Sequence, residues 1–348
     1  MAFDFLGKVT GLTAAELTVR EQARLAQNPL ELRWRAIFPT TPANSLTVSQ
    51  LTRPDTRLAA EFREFNADGR EIPEILGPKV DAEMVPMTAT HHIDEKRLTV
   101  LRAPNPRISQ LVEDGVIGDV RTWPTRLANA VDWGTEYMAF LMWATNTITV
   151  KDPKTGKSTT VNRGIDASRY ITESTAWNDG SVNAYDRLLF RIGEAQRLIG
   201  SVGAVRMRRA TAEAVRADAP NGPNALRPTI ANIQDRLSEE GFGQITLIID
   251  ERTVDVFDDG GSAYTTTNLI PAEKVLFQPA GDGAVGATYT YPVSRAYDHV
   301  STDHRVNLND TVVWYTPQNN GKTLLIEAEA IRLPLTDAGK VYVVDAGV

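Results

Sequence analysis

The chain contains no cysteine among its 348 residues. Disulfide bonds, thiolate nucleophiles and zinc sites built from thiolates are therefore excluded. The absence is compatible with a protein made in a reducing cytoplasm, although it does not by itself place the protein there. Stability must come from packing, and the 42% of hydrophobic residues is the proportion of an ordinary globular protein. The length allows a sizeable core and about two domain-sized units.

Long apolar segments are also missing. The longest uninterrupted apolar run is residues 137–144, far short of the ~20 residues that span a bilayer. Residues 1–10 have one lysine and scattered apolar residues, without the apolar core of a signal peptide. We therefore expect no membrane partner.

An excess of basic charge is absent as well. Lys and Arg total 37 against 44 Asp and Glu, so the formal net charge is −7. A surface that coats nucleic acid needs net positive patches to neutralise phosphates. The overall balance therefore argues against a nucleic-acid-coating protein.

Motifs for phosphate or metal binding are incomplete. Residues 156–158, Gly-Lys-Ser, resemble the end of a phosphate-binding loop, but the glycine required five residues earlier is Lys151. His91, His92 and Asp94 cluster, yet adjacent side chains of a strand point to opposite faces and cannot easily share one metal. We interpret these stretches as a lysine-rich hairpin turn and a polar strand end.

An acidic run near the middle of the chain also departs from a known binding pattern. Its members are Asp250, Glu251, Asp255, Asp258 and Asp259. The spacing differs from that of a calcium loop, so we interpret the run as an acidic turn that caps a hairpin. Because the motifs of common hydrolases and dinucleotide-binding proteins are absent too, we expect no catalytic, cofactor-binding or metal-binding residue and no enzyme activity.

The first part of the chain predicts an arm followed by a long excursion. Thr13 and Glu16 form a capping box for a short amphipathic helix, but residues 1–39 could not fold alone. Residues 45–49 alternate polar and apolar side chains, which predicts a half-buried strand. A stretch dense in charges of both signs follows, and loops as long as residues 40–86 are usually functional or binding elements.

The rest of the chain predicts helices and strands in mixed order, which indicates an α+β fold. We expect a long helix with Pro124 at its first position and an apolar face that includes Leu127, Val131 and Met142. The other predicted elements are a hairpin (147–150 with 159–162), helices (184–199, 210–217 and one ending near Glu240), and strands (204–207, 244–250 paired with 253–257, 275–277, 311–316, 323–333 and 341–344). A turn at residues 318–321 should join two of the last strands.

Several stretches, taken in order, are similar to segments of one known family. They are residues 32–41 (LRWRAIFPTT) with 46–50 (LTVSQ), 77–80 (GPKV), the hairpin 148–161 with 152–156 (DPKTG), 270–276 (IPAEKVL), 331–334 (IRLP) and 341–345 (VYVVD). The chain thereby resembles the lambda-type major capsid proteins of tailed phages, the protein E family. The resemblance covers nearly the whole chain, as weak motifs rather than one signature.

This resemblance implies the tailed-phage major capsid fold and its domains. They would be an N-terminal arm (1–39), an extended loop (40–86), a peripheral domain with a long spine helix and hairpin (87–183), an axial domain (184–300), and closing strands of both domains (301–348). Subunits of the family form hexamers and pentamers of an icosahedral shell that encloses double-stranded DNA. The expected location is the virion capsid, assembled in the cytoplasm of the host bacterium.

The resemblance also implies partners. These are other copies of the chain, a cement or decoration protein, the portal, and packaged DNA contacted on the inner face without sequence specificity. A mildly acidic wall suits DNA that must slide past it. A separate scaffolding protein is implied because the chain has no long N-terminal helical extension.

The extended loop carries the candidate site residues. We expect five charged residues of the loop to form ion pairs with a neighbouring subunit: Arg53, Arg57, Glu61, Arg63 and Glu64. Some relatives cross-link this loop through a Lys–Asn isopeptide bond, and Lys79 is the sole lysine of the loop. The protein E family generally relies on non-covalent contacts and cement proteins, so we expect a non-covalent strap.

Two other functions are open at this point. An encapsulin-like compartment would have the same fold and contain a cargo enzyme rather than DNA, and the neighbouring genes would distinguish it. A monomeric enzyme using the middle α/β unit belongs to a different class, and it would sediment as a monomer at every concentration. A tail or baseplate protein is disfavoured by the long spine helix.

Overall fold

The structure is a computed structural model, and it describes most of the chain. The described residues are 32–51, 79–84, 86–102, 116–151, 158–220, 227–257, 264–293, 305–308, 310–320 and 322–348, with residues 16, 18, 19, 22 and 23. The five separate residues near the start are helical, in agreement with the predicted helix of the arm.

Helices and strands alternate irregularly along the chain. The helices are α1 (Trp34–Ile37), α2 (Glu95–Arg102), α3 (Val116–Thr145), α4 (Ala184–Ile199), α5 (Arg209–Asp218) and α6 (Ile230–Glu239). The strands are β1 (Thr40–Pro42), β2 (Thr47–Leu51), β3 (Lys79–Glu83), β4 (Pro86–Ile93), β5 (Thr147–Lys151), β6 (Ser158–Asn162), β7 (Tyr170–Thr172), β8 (Val202–Met207), β9 (Thr246–Ile249), β10 (Thr253–Phe257), β11 (Tyr264–Asn268), β12 (Lys274–Pro279), β13 (Gly286–Tyr291), β14 (Arg305–Leu308), β15 (Thr311–Gln318), β16 (Thr323–Thr336) and β17 (Tyr342–Asp345).

The larger sheet is built around the long strand β16. Its order is β1-β13-β16-β15-β14, and β4 pairs with residues 324–331 of β16, next to residues 331–336, which pair with β13. The long helix α3 packs on this sheet, where Leu127 and Val131 meet Ile326 and Ala328 in a buried cluster. A 30-residue helix with one apolar face therefore lies along the sheet as a spine.

The second sheet has the order β7-β17-β12-β8-β9 and is associated with α4, α5 and α6. Leu188 and Ile192 of α4 and Ile233 and Leu237 of α6 are fully buried in its core. Each helix presents these residues at spacings of three or four, which places them on one face. The part from α4 to β12 corresponds to the compact α/β unit that the sequence predicts, and β7 and β17 join its sheet from outside that region.

Capping explains why two predicted helices begin and end where they do. The side chain of Asn183 accepts a hydrogen bond from the backbone N–H of Asp186 and so caps α4. Thr229 and Asn232 form a reciprocal capping box at the start of α6. Gly241 follows α6 with φ +90°, a conformation that glycine adopts without the cost of a Cβ.

Two expectations about these elements were wrong. Pro124 lies inside α3 rather than at its first position, because residues from Val116 onward are also helical. Residues 244–250 do not pair with 253–257: β9 joins β8 in parallel, and β10 pairs with β11 instead. The physical reason is that β9 pairs with β8 at the edge of the second sheet, while residues 250–252 between β9 and β10 are engaged in ion pairs described below.

Candidate functional site

The described part of the excursion is a two-stranded ladder that packs on its own chain. β2 and β3 are antiparallel, and the ladder ends where Leu51 lies opposite Lys79. Val48 and Ala82 are buried in one cluster with Met142 of α3. The cluster also contains residues of the hairpin β5–β6. Residues 52–78 therefore leave from, and return to, a base that is docked against the spine helix.

The predicted loop contacts cannot be placed on this base. Arg53, Arg57, Glu61, Arg63 and Glu64 lie outside the described residues. The backbone of Lys79 forms the first residue of β3. The prediction of a strand at the loop entrance is confirmed, whereas the ion pairs and the cross-link stay predictions.

A second arrangement, which sequence reasoning missed, centres on Glu136 of α3. Its carboxylate is fully buried. The backbone N–H groups of Arg33 and Trp34 donate to Oε2 at 3.1 and 2.7 Å. The guanidinium of Arg252 donates to Oε1 at 2.6 Å. One carboxylate thus binds the N-terminus of α1 and a residue that follows β9.

Arg252 bridges Glu136 to a second buried acid. Its Nε and Nη2 donate to the two oxygens of Asp250 at 2.8 and 2.7 Å, the bidentate geometry that a guanidinium favours. Burial alone would raise the pKa of Asp250, but these hydrogen bonds and the charge of Arg252 outweigh it, so the pKa lies below its usual value. Burial, with the nearby charge of Arg33 next in importance, lowers the pKa of Arg206 to about 10, and its Nη1 lies 3.8 Å from Asp250.

One helical turn before Glu136, Asp132 takes part in a parallel arrangement. Arg332 of β16 is 1% exposed and pairs with Asp132 at 2.5 Å and with Asp310 at 2.6 Å. Arg35 lies 3.5 and 3.7 Å from the same two carboxylates, at the surface. The guanidinium groups of Arg35 and Arg332 lie 4.5 and 5.4 Å from the centre of the Trp34 ring, within the range of cation–π attraction.

We call these side chains the arm junction. Its members are Trp34, Arg35, Asp132, Glu136, Asp250, Arg252, Asp310 and Arg332. They come from the arm, the spine helix, the larger sheet and the segment between β9 and β10. The arrangement contains no plausible nucleophile, and its carboxylates are occupied by guanidinium and backbone N–H groups. What it can do is bind these four parts of the chain to one another.

Little in the sequence could have revealed this junction. Glu136 is an acidic residue within the apolar face of α3, and Arg332 interrupts the apolar run of β16, and both are signs of a paired buried charge. Their partners lie far away in sequence: Glu136 with Arg252, and Arg332 with Asp132. The acidic run was interpreted as a hairpin turn, but Asp250 is a buried ion-pair partner.

The histidine cluster and the other motifs singled out in the sequence form no metal-binding site among the described residues. The His91 ring stacks on Trp123 at 3.6 Å, so this histidine packs against the spine helix. Among the described residues no group of three or more His, Cys, Asp or Glu is arranged to bind a metal. No helix of the described part of the chain is both long and apolar enough to cross a membrane. Asp258, Asp259, Gly156 and Lys157 lie outside the described residues.

Comparisons with known proteins identify the fold. No protein-family profile and no curated protein matches the chain. Among solved structures, a chain assigned as the capsid protein of a prophage in E. coli CFT073 aligns with a TM-score of 0.58 at 14% identity, covering 96% of this chain and 99% of that one. The chain has the tailed-phage major capsid fold.

A second solved structure also aligns over nearly the full length of the chain. A phage-related protein from Bordetella bronchiseptica RB50 aligns with a TM-score of 0.50 at 13% identity, covering 94% of this chain and 96% of that one. The predicted α+β capsid fold is therefore confirmed along nearly the full length of the chain. Membership of the lambda-type family within this fold stays a prediction.

Proposed function

We propose that the chain is the major capsid protein of a tailed phage. In this proposal it assembles into hexamers and pentamers of an icosahedral head that encloses double-stranded DNA, and it has no enzyme activity. The observation that carries the proposal is the capsid fold, which extends over 96% of the chain. Its location would be the virion capsid, after assembly in the cytoplasm of a bacterial host.

The domain division of the capsid fold is proposed with the boundaries given above. The arm (1–39) ends at α1, which binds the spine helix through Glu136. The extended loop (40–86) contains the docked ladder β2–β3. The spine helix and hairpin would form the peripheral domain (87–183), and the α/β unit the axial domain (184–300). Residues 301–348 would close both, since β14–β16 belong to the larger sheet and β17 to the second one.

We propose that residues 52–78 form a non-covalent strap on a neighbouring subunit. The base of the loop buries its apolar face on its own chain, so the charged segment beyond it is the part left to contact another copy. Arg53, Arg57, Glu61, Arg63 and Glu64 would form ion pairs there and set the register between subunits. Lys79 belongs to the base ladder opposite Leu51, which favours the non-covalent strap over a cross-link.

The finer assignment to the lambda-type protein E family rests on the motifs quoted above. With it come the proposed partners: a cement or decoration protein, a separate scaffolding protein, the portal, and packaged DNA on the inner face. These partners follow from the family resemblance and are the part of the proposal that depends on it.

Electron microscopy and sedimentation of the expressed full-length chain test the function. We expect closed shells or capsomers, with interfaces of roughly 2,000 Å² or more per contact, and correct shells when the neighbouring phage genes are co-expressed. A chain that sediments as a monomer at every micromolar concentration, with and without those genes, would contradict the proposal. Shells that enclose a host enzyme in place of DNA would instead support the encapsulin-like compartment.

A further inference from the structure

The arm junction contains one acceptor shared by two distant parts of the chain. Glu136 receives the N–H groups of Arg33 and Trp34 from the arm and the guanidinium of Arg252 from the segment after β9. The carboxylate is 0% exposed, so water does not replace a lost donor without some opening of the structure. From this geometry we infer that docking of the arm and docking of residues 250–252 are energetically coupled through Glu136.

The coupling follows from the cost of burying a charge. A carboxylate stays buried and ionised only while its partners offset the loss of hydration. If Arg252 is removed, Glu136 keeps two backbone donors and loses its ion-pair partner at 2.6 Å. The buried position of the side chain becomes less favourable, and the N-terminus of α1 loses its acceptor whenever the side chain moves out. Disturbing the segment after β9 therefore loosens the arm.

Packing provides a second route between the same two parts. Trp34, Phe140 of the spine helix and Leu269 are all buried in one cluster. The backbone N–H of Leu269 donates to the carbonyl of Arg252 at 3.0 Å. A shift of the segment that contains Arg252 therefore also disturbs the residues that surround the Trp34 ring. Reciprocity requires that undocking the arm loosens residues 250–252 by the same free energy.

The consequence for assembly rests on the proposed function. In a capsid subunit, this coupling would make release of the arm and reorientation of the axial domain a single event rather than two. If a neighbouring subunit pulled the arm away, residues 250–252 in the axial domain of the same chain would therefore loosen as well.

Hydrogen exchange of the full-length chain, measured by mass spectrometry, tests the coupling. In Arg252→Gln we expect the backbone amides of residues 33–38 to exchange about tenfold faster, the effect of losing roughly one charge-assisted hydrogen bond. The matched control is Arg208→Gln, which removes the ion pair to Glu251 beside Arg252 without touching Glu136. The control should leave exchange in residues 33–38 unchanged.

Two further variants keep the test decisive if Arg252→Gln does not fold. Arg252→Lys retains the positive charge but loses the bidentate guanidinium geometry. It should therefore give a smaller increase in the exchange rate of residues 33–38. Glu136→Gln should speed exchange both in residues 33–38 and at Leu269. Unchanged exchange of residues 33–38 in the folded Arg252 variants would overturn the coupling. Because the readout concerns a single chain, this failure differs from failure to form shells, which would overturn the proposed function.

Discussion

At the scale of the residue, Arg332 is the clearest test of the buried charges. It is 1% exposed and forms ion pairs with Asp132 and Asp310, which are about a fifth exposed. Arg332→Met would remove the buried cation and leave the two carboxylates only the surface guanidinium of Arg35, so we expect a loss of about 3 kcal/mol in the free energy of unfolding. Urea denaturation measures this loss.

The matched control for Arg332 is Arg35, which approaches the same carboxylates at the surface. Arg35→Gln should change stability by no more than about 0.5 kcal/mol, since exposed pairs are screened by water. Adding Asp132→Asn and Asp310→Asn to Arg332→Met should restore part of the lost stability. A cost below about 1 kcal/mol for Arg332→Met alone would show that the cluster is not a net stabilising element.

Asp250 gives a prediction for the pH dependence of stability. Its pKa in the folded chain lies below the ordinary value of 3.8, so the folded state favours the ionised form. Its contribution is therefore complete above the unfolded pKa and is lost as the pH falls through the folded pKa. Asp250→Asn should cost about 2 kcal/mol at pH 7, and the difference from wild type should shrink below pH 3.8. Urea midpoints between pH 3 and 7 check this, and a difference independent of pH would contradict it.

The residue scale is also where sequence reasoning was weakest. A charge within an apolar pattern, such as Glu136, indicates that a partner exists but not which one. Arg252 lies on another element, and only the packing of that element brings it to 2.6 Å. The sequence therefore could have marked Glu136 and Arg332 as unusual, but it could not have assembled the junction.

At the scale of the element, the extended loop is the part most open to experiment. Deleting residues 56–72 removes the charged segment and retains the base, where Val48 and Ala82 are buried. Because the base contributes the packing, we expect a folded subunit with an unchanged unfolding midpoint that does not form normal shells. Circular dichroism measures the folding, and electron microscopy measures the assembly.

The matched variant for this deletion retains the length of the loop. It replaces the five charged residues Arg53, Arg57, Glu61, Arg63 and Glu64 by serine. If the ion pairs set the register between subunits, this variant should assemble poorly or into aberrant particles. Normal particles from the deletion variant would contradict the role of the loop as a strap.

Helices and turns were predicted correctly where neighbouring residues determine the structure. The prediction failed where the structure depends on which strands pair. The helix α4 was predicted from its apolar spacing, the end of α6 from Gly241, and the turn between β15 and β16 from its asparagines, which adopt positive φ at Asn319 and Asn320. The partner of β10 was not predictable, because both β9 and β11 are plausible neighbours in sequence. Pro124 misled because the residues before it, from Val116 onward, are helical as well, whereas a proline usually lies in the first turn of a helix.

At the scale of the whole molecule, the fold depends on contacts between distant parts of the chain. β16 pairs with β4, β13 and β15, and β13 also pairs in parallel with β1, which follows the arm. Composition and periodicity indicated an α+β chain of about two units, while the order of strands in each sheet needed the three-dimensional structure. The weak family motifs supplied the architecture because they occur in the right order along nearly the whole chain.

The position of β17 has a consequence for how the protein is made. β17 lies between β7 and β12, in the interior of the second sheet rather than at its edge. The ribosome must therefore synthesise residues through Asp345 before this sheet can close, whatever the earlier segments have already formed. A truncated chain would lack an interior strand and expose the apolar surface that β17 covers. Under the proposed function, a growing shell would thus receive only subunits whose translation has reached that strand.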